Sequence, residues 1–309
     1  MTTLHIPVLV EQAIHFLVNK PAGVFVDCTL GTGGHFQELS KHLESNANLL
    51  GIDADPEAVQ YCMENLIIPQ SHQFVSANFS DLKRVCYRAG FQKVDGILMD
   101  LGLSSFALDN PSHGLTFSQD GPLDMRFSPS IRQTAADFIN RAPLKELVKV
   151  FKEYGEERHS SRIARAIIDE RTRNEIRTTA QLVTIIKDSV PGNFLIKTLS
   201  RTFQAIRMQI NDEVAVLQKG LDEAVSLLTT GGRIVVISYH SIEDRMVKQC
   251  FKNEARDCIC PPQFPICQCN HTARLKILTT RPILPDVVET KRNSRARSAK
   301  LRAAEKLAG

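Results

Sequence analysis

No stretch of this 309-residue chain comes near the roughly 18 uninterrupted apolar residues that a membrane span requires. The opening residues, "MTTLHIPVLVEQ", have neither the basic start nor the apolar centre of a secretion signal. The expectation is a cytoplasmic protein with no membrane partner. Without an export signal the eight cysteines have no oxidising context, so reduced thiols or a metal fit them better than a disulfide framework. No internal repeat is visible, and at this length one large domain or two smaller ones must organise the chain.

What is present begins with a 43% hydrophobic content, enough to bury a full core. The formal charge is only +4, but it is unevenly spread. From His271 to Gly309 there are ten Lys or Arg against three Asp or Glu, so this segment carries +7 and the preceding 270 residues carry −3. A basic tail of this kind is a footprint of phosphate-backbone partners, although many such tails are simply solvated.

Local pattern then organises the chain. "GVFVDCTL" (23–30) reads as a buried strand that runs into three glycines within four positions, Gly31, Gly33 and Gly34. Phe36, Leu39 and Leu43 follow at helical spacing, and "NLLGIDAD" (48–55) is a second strand, which makes a βαβ unit. A helix over 56–66, a strand in "HQFVSANF" and a fourth in "KVDGILMDLG" continue the alternation. The fold class is α/β, a doubly wound and mostly parallel sheet, with ligands expected outside the carboxyl ends of the strands. Those ends hold Asp27 to Gly34, Asp53, Phe79 and Asp100.

The next strand, "RIVVISYH" (233–240), follows an amphipathic helix that stops at "TTGG". More than a hundred residues separate it from Asp100, far more than one crossover needs. An inserted helical subdomain over residues 106–205 accounts for the difference, leaving 1–105 and 206–309 as a discontinuous sheet domain. Helices are expected near 143–154, 157–171 and 179–189. After 240 come a helix (242–255), a Cys/Pro-rich loop, a strand in "RLKILT" and the basic tail.

Glycines after a first strand allow a tight turn, close approach of a ligand and a helix whose free amides attract negative charge. A dinucleotide wants G-x-G-x-x-G, and here the third glycine is missing from its slot, where His35 and Phe36 stand. S-adenosylmethionine, with no pyrophosphate, suits the shorter turn. Asp53 stands about twenty residues further on, the place of a ribose-binding carboxylate. Asp55, just ahead of Pro56, takes the helix-capping role. Asp100 has three readings open: it draws on the hydrogens of an acceptor amine, it holds the cofactor, or it caps the next turn through Ser104 and Ser105.

Several stretches occur in a telling order: "HIPVLVEQAI", "DCTLGTGGH", "GIDADP", "DGILMDLGLSS", "GPLDMRF", "YGEER", "RIARAI", "RTFQAIR", "GGRIVVISYHSIEDR" and "RARSAKLR". Together they resemble the bacterial 16S ribosomal RNA cytosine-N4 methyltransferase family over nearly the whole chain. The resemblance implies a class I S-adenosylmethionine-dependent enzyme that methylates the exocyclic N4 of a decoding-centre cytosine in 16S rRNA, within the small ribosomal subunit. It also implies cofactor contacts at Gly33, Gly34, His35, Asp53, Phe79, Asp100 and Ala107, with Asp100 the catalytic candidate. At Ala107 a Gln is common in the family, so only backbone or packing contact carries over. Phe79 either packs on the adenine or belongs to the core.

Further candidates lie outside the motif. Asp124 and Arg126 either border the target pocket or pair with each other. Arg201 and Arg207 are placed to line a cleft, and Arg158, Arg162 and Arg165 share a helix face that a solvated stripe explains more cheaply. Tyr239 is a candidate platform for a flipped base. Cys258, Cys260, Cys267 and Cys269 form two C-x-C pairs, but structural zinc sites usually use C-x-x-C, so a reduced, proline-stiffened loop without metal is preferred. Two alternatives to the methyltransferase remain, an NAD-dependent dehydrogenase on the same sheet and a non-catalytic RNA-binding assembly factor.

Overall fold

The computed structural model describes residues 7–102, 110–261, 263–264 and 266–308. The chain divides into two compact units, residues 1–102 with 216–309, and residues 103–215. The sequence reading set its boundaries at 105/106 and 205/206. The later division falls instead within one continuous helix, α10 (Glu213–Leu227), where no turn residue marks it.

In the first unit, α1 (Val10–Leu17) precedes β1 (Val24–Asp27), α2 (Gly34–Lys41), β2 (Asn48–Asp53), α3 (Pro56–Asn65), β3 (Ser71–Ser76), α4 (Leu82–Arg88) and β4 (Val94–Asp100). After α10 the chain adds β5 (Leu228–Ser238), α11 (Ser241–Glu254), β6 (Leu275–Ile277), α12 (Val287–Arg292) and β7 (Lys300–Lys306). The seven strands run in the order β3-β2-β1-β4-β5-β7-β6. The first five pair in parallel, and β7 pairs antiparallel with both β5 and β6.

Side chains on successive strand residues point to opposite faces, and the core follows that period. Val26, Leu50, Ile97, Met99, Ile234 and Val236 pack with α4, α10 and α11 on one face. Phe25, Leu49, Leu98, Val235 and Ile237 pack with α1 and α2 on the other. This double coverage explains why the parallel strands read as continuous apolar runs. Strand order reverses between β1 and β4, which puts the topological switch point between Asp27 and Asp100.

The second unit has its own core, with α5 (Ala135–Arg141), α6 (Leu144–Glu153), α7 (Ser160–Arg171), α8 (Thr179–Ser189) and α9 (Leu195–Ile210). Reciprocal capping boxes start α5 at Thr134/Asp137 and α8 at Thr178/Gln181, satisfying amides that a helix start leaves free. Pro143 is the N-cap of α6.

Two expectations need correction. "TTGG" does not stand outside the sheet as a helix stop, because β5 begins at Leu228 and takes it in. Gly231 adopts φ 78° there, and the pairing with β4 shifts register between Val94 and Gly96. The basic tail is not a tail either. Lys300–Lys306 is a strand inserted between β5 and β6, with Leu301, Ala303 and Ala304 fully buried. Its charges are largely committed: Arg302 Nε donates to Asp244 at 2.7 Å, and Glu305 accepts from Arg233 at 2.9 Å.

A dispensable basic tail and an interior strand behave oppositely on deletion. A chain ending at Ala299 is expected to lose cooperative thermal unfolding followed by circular dichroism, and Leu301→Ala alone to cost about 2–5 kcal/mol in urea titrations. A truncated chain that unfolds like the full one contradicts this placement.

Candidate active site

The glycine turn is fixed by one backbone conformation. Gly33 adopts φ 79° as the N-cap of α2, and a Cβ there would stand 2.3 Å from Leu66 Cδ1, so both torsion and space demand glycine. Among the described residues no side chain caps α2, which leaves its first amides without a side-chain acceptor.

Three carboxylates from consecutive positions in the sheet, Asp53, Asp27 and Asp100, end β2, β1 and β4. Asp53 is tied to the turn: Oδ2 accepts from the Gly31 amide at 2.7 Å and Oδ1 from the Asp55 amide at 2.9 Å. It therefore braces the loop as well as standing at the ribose position. Asp55 caps α3 by accepting from the Glu57 amide at 2.9 Å.

Asp27 is only 1% exposed. Its Oδ1 accepts from the Thr29 amide at 3.0 Å, while its buried Oδ2 accepts no hydrogen bond from the described residues. Thr29 in turn uses its Oγ1 to accept from the Asp100 amide at 2.7 Å, stitching the tips of β1 and β4 together. Desolvation pushes the pKa of Asp27 up to about 6, opposed by the nearby His35 and the Thr29 amide. Desolvation likewise pushes Asp53 up to about 6, against the amides of Asp55 and Gly31.

His35 is buried at the start of α2, with Nε2 2.9 Å from the Val8 carbonyl and Nδ1 3.6 Å from Asp100 Oδ2. The other Asp100 oxygen, Oδ1, is buried and accepts no hydrogen bond from the described residues. Tyr239 follows β5 beside Asp100, and burial first, then the Asp100 charge and a side-chain hydrogen bond to Asp100, push its phenol pKa upward, so it remains protonated. Its ring lies on bare backbone: a Cβ at Gly102 would stand 2.6 Å from Tyr239 Cε2. Glu243 holds the Tyr239 amide at 2.9 Å, and His240 caps α11.

Phe79 stands after β3 at the expected place, half-buried against the sheet core, with its ring where a Cβ on Gly220 would come within 2.5 Å. Ala107, with Ser104 and Ser105, lies outside the described residues. The motif thus brings Gly33, Gly34, His35, Asp53 and Asp100 into one cluster. Asp27 and Thr29 belong to it as well, although spacing and motif assign them no role of their own. For Asp27 the signal was present, an acid ending an apolar strand directly before the glycines.

The arginines of the helical unit divide differently. Arg126 makes a two-pronged pair with Asp124, at 2.7 and 2.8 Å, and Arg207 makes one with Glu213, at 2.7 and 2.9 Å. Both guanidiniums are thereby committed within their own unit rather than held open for a target base. Arg201 lies 4.0 Å from Glu157 and is partly exposed. Arg158 precedes α7, so only Arg162 and Arg165 share a helix face, and both are exposed.

A doubly wound sheet with a bare glycine turn, an acid ending the second strand and orphaned carboxylate oxygens at the switch point defines a class I S-adenosylmethionine-dependent methyltransferase. The donor's cationic sulfonium and ammonium match the surplus of buried negative charge, and its carboxylate matches the free start of α2. The sequence narrows the class further: residues 2–307 match the MraW methylase family, and the chain belongs to it. It is 47% identical to the ribosomal RNA small subunit methyltransferase H of Carboxydothermus hydrogenoformans, over 98% of both chains. It is 44% identical to the enzyme of the same name from Halothermothrix orenii, again over 98% of both. Membership of a methylase family removes the dehydrogenase alternative. No helix among the described residues is long and apolar enough to cross a membrane.

The raised pKa of Asp27 has a measurable sign. Its folded value, about 6, lies above its ordinary 3.8, so the folded state binds that proton more tightly. The associated stability is complete below about pH 4 and is lost as pH rises through about 6, a change on the order of 3 kcal/mol. Urea titrations of the ligand-free protein between pH 4 and 7 are expected to show stability falling with pH, and Asp27→Asn to flatten that fall. Equal slopes in the two proteins contradict the burial argument.

Proposed function

We propose that this protein transfers the methyl group of S-adenosylmethionine to the exocyclic N4 amine of a decoding-centre cytosine in 16S ribosomal RNA, acting in the cytoplasm on the small ribosomal subunit. The observation that carries the chemistry is Asp100, a strand-tip carboxylate beside the glycine turn whose buried Oδ1 accepts no hydrogen bond from the described residues. The ribosomal substrate is supported by the relatives, which carry the name of small-subunit RNA methyltransferases.

When bound, the donor supplies an electrophilic methyl on a positively charged sulfur. The chain's own residues divide the remaining tasks. Asp53 takes the ribose hydroxyls while continuing to brace Gly31. Asp27 Oδ2 offers its free lone pairs to the ammonium, and the first amides of α2 offer theirs to the carboxylate. Phe79 contributes an apolar edge for the adenine.

The exocyclic amine of cytosine is a poor nucleophile because its lone pair is drawn into the ring. A carboxylate that accepts one of its N–H hydrogens favours a tetrahedral nitrogen and receives the proton that must leave once the new bond forms. Asp100 Oδ1 is the acceptor in this reading, with Tyr239 beside it as a flat, protonated surface for a base taken out of its stack. The inserted helical unit, residues 103–215, serves as the RNA-recognition part, with Arg158, Arg162 and Arg165 exposed on it.

Asp100→Asn is expected to lower single-turnover methylation about 100- to 10,000-fold while donor binding by calorimetry changes only a few-fold. Equal loss of binding would assign Asp100 to holding the donor instead. Incubation with labelled S-adenosylmethionine and small subunits from a strain lacking the enzyme is expected to place the label on N4 of one cytosine. Label on another RNA, or on a ring carbon, overturns the substrate.

A further inference from the structure

The segment between α11 and β6 takes no part in the site above. Its base is closed by Arg274, which pairs through both Nε and Nη2 with Glu254, the latter contact at 2.6 Å, and by His271 Nε2 at 3.1 Å from the Asn253 carbonyl. Beyond this closure the chain turns back so that its two C-x-C pairs meet. The four sulfurs of Cys258, Cys260, Cys267 and Cys269 all lie within 4.8 Å of one another. Cys267 and Cys269 are 3.6 Å apart, and Cys269 and Cys258 are 3.8 Å apart.

We propose that these four cysteines form a tetrahedral thiolate site for a zinc ion that fixes the loop between α11 and β6.

Three observations support it. Zinc–sulfur bonds of about 2.3 Å directed to a tetrahedron's corners set the sulfurs about 3.8 Å apart, close to the 3.6 and 3.8 Å of the Cys267–Cys269 and Cys269–Cys258 pairs and within the 4.8 Å that spans all four. In extended backbone, residues two apart point the same way, so C-x-C presents both thiols to one centre and does not need the more usual C-x-x-C turn. The amides are also arranged for thiolates and in a reciprocal pattern. Ile259, the middle residue of the first pair, donates to Cys269 at 3.5 Å, and Gln268, the middle residue of the second, donates to Cys260 at 3.3 Å. Each pair thus stabilises the charge of a sulfur from the other, as neighbouring groups around a metal do.

The alternative preferred from sequence, a loop of free thiols, leaves the convergence unexplained. Cys258 and Cys267 are exposed and the other two half-exposed, whereas Cys28, Cys62, Cys86 and Cys250 are buried in the sheet unit. Four accessible thiols held at contact distance would repel on ionisation unless a cation sits among them. Zinc takes soft sulfur ligands in preference to the hard cations, and binding displaces thiol protons, so affinity rises with pH.

The test uses the full chain, reduced, saturated with zinc and then freed of loose metal by gel filtration. Elemental analysis is expected to find one zinc per chain, and a Cys258→Ser/Cys269→Ser variant to retain none while keeping its far-ultraviolet circular dichroism. Cobalt added to the metal-free parent is expected to give the strong visible bands and sulfur charge-transfer absorption of a tetrahedral thiolate. Zinc is expected to slow alkylation of four of the eight thiols, and a chelator to restore it. No retained zinc together with a cobalt spectrum lacking sulfur bands, or equal zinc in parent and variant, overturns the proposal. The cobalt spectrum of the parent decides the matter even if the variant fails to fold.

Discussion

Crowding of negative charge at one turn of backbone is the constraint on which the rest of the site depends. Three parallel strands end in Asp53, Asp27 and Asp100, and the chain between β1 and α2 must pass among them in a left-handed conformation that only glycine adopts readily at Gly33. Each carboxylate loses water to the sheet around it. The protein answers with backbone amides, the Thr29 hydroxyl and His35, but among the described residues nothing answers Asp27 Oδ2 and Asp100 Oδ1. Desolvating carboxylates is costly, and the raised pKa values of Asp27 and Asp53 express that cost. A ligand bearing positive charge relieves it, so stability and donor recognition rest on the same atoms.

The sheet makes this arrangement possible because it is covered on both faces. Helices from either side lock the strands, so their tips become fixed points from which short side chains aim. β7 extends that rigidity. By pairing with β5 over six positions it holds the strand that delivers Tyr239, and its Lys300 and Arg302 both reach Asp244 near the start of α11. A segment that carries seven net positive charges thus serves the scaffold in good part rather than forming a free arm for phosphates.

The first half of the sheet was legible because its signals are local. An apolar β-branched run, a glycine cluster and an acid about twenty residues on are close in sequence and each has a direct physical meaning. β7 was not legible. "KLRAAEK" mixes small apolar and charged residues, and what makes it a strand is pairing with β5 more than sixty residues away, together with acids on distant elements that neutralise it. Pairing also governs the arginines. Arg207 has Glu213 only six residues on, a partner that local inspection could have found, while the role of Thr29 depends on β1 and β4 being neighbours. The cysteines show the converse, since spacing alone argued against a metal and only the folded loop brings the sulfurs together.

Calorimetric titration of the intact protein with S-adenosylmethionine, beside the same titration of Asp53→Ala, tests the central claim most directly. The account requires one donor per chain for the parent and at least about tenfold weaker binding for the variant, the loss expected when a charge-assisted hydrogen bond at a buried carboxylate is removed. Absence of binding by the correctly folded parent, or equal affinity in both proteins, would contradict it.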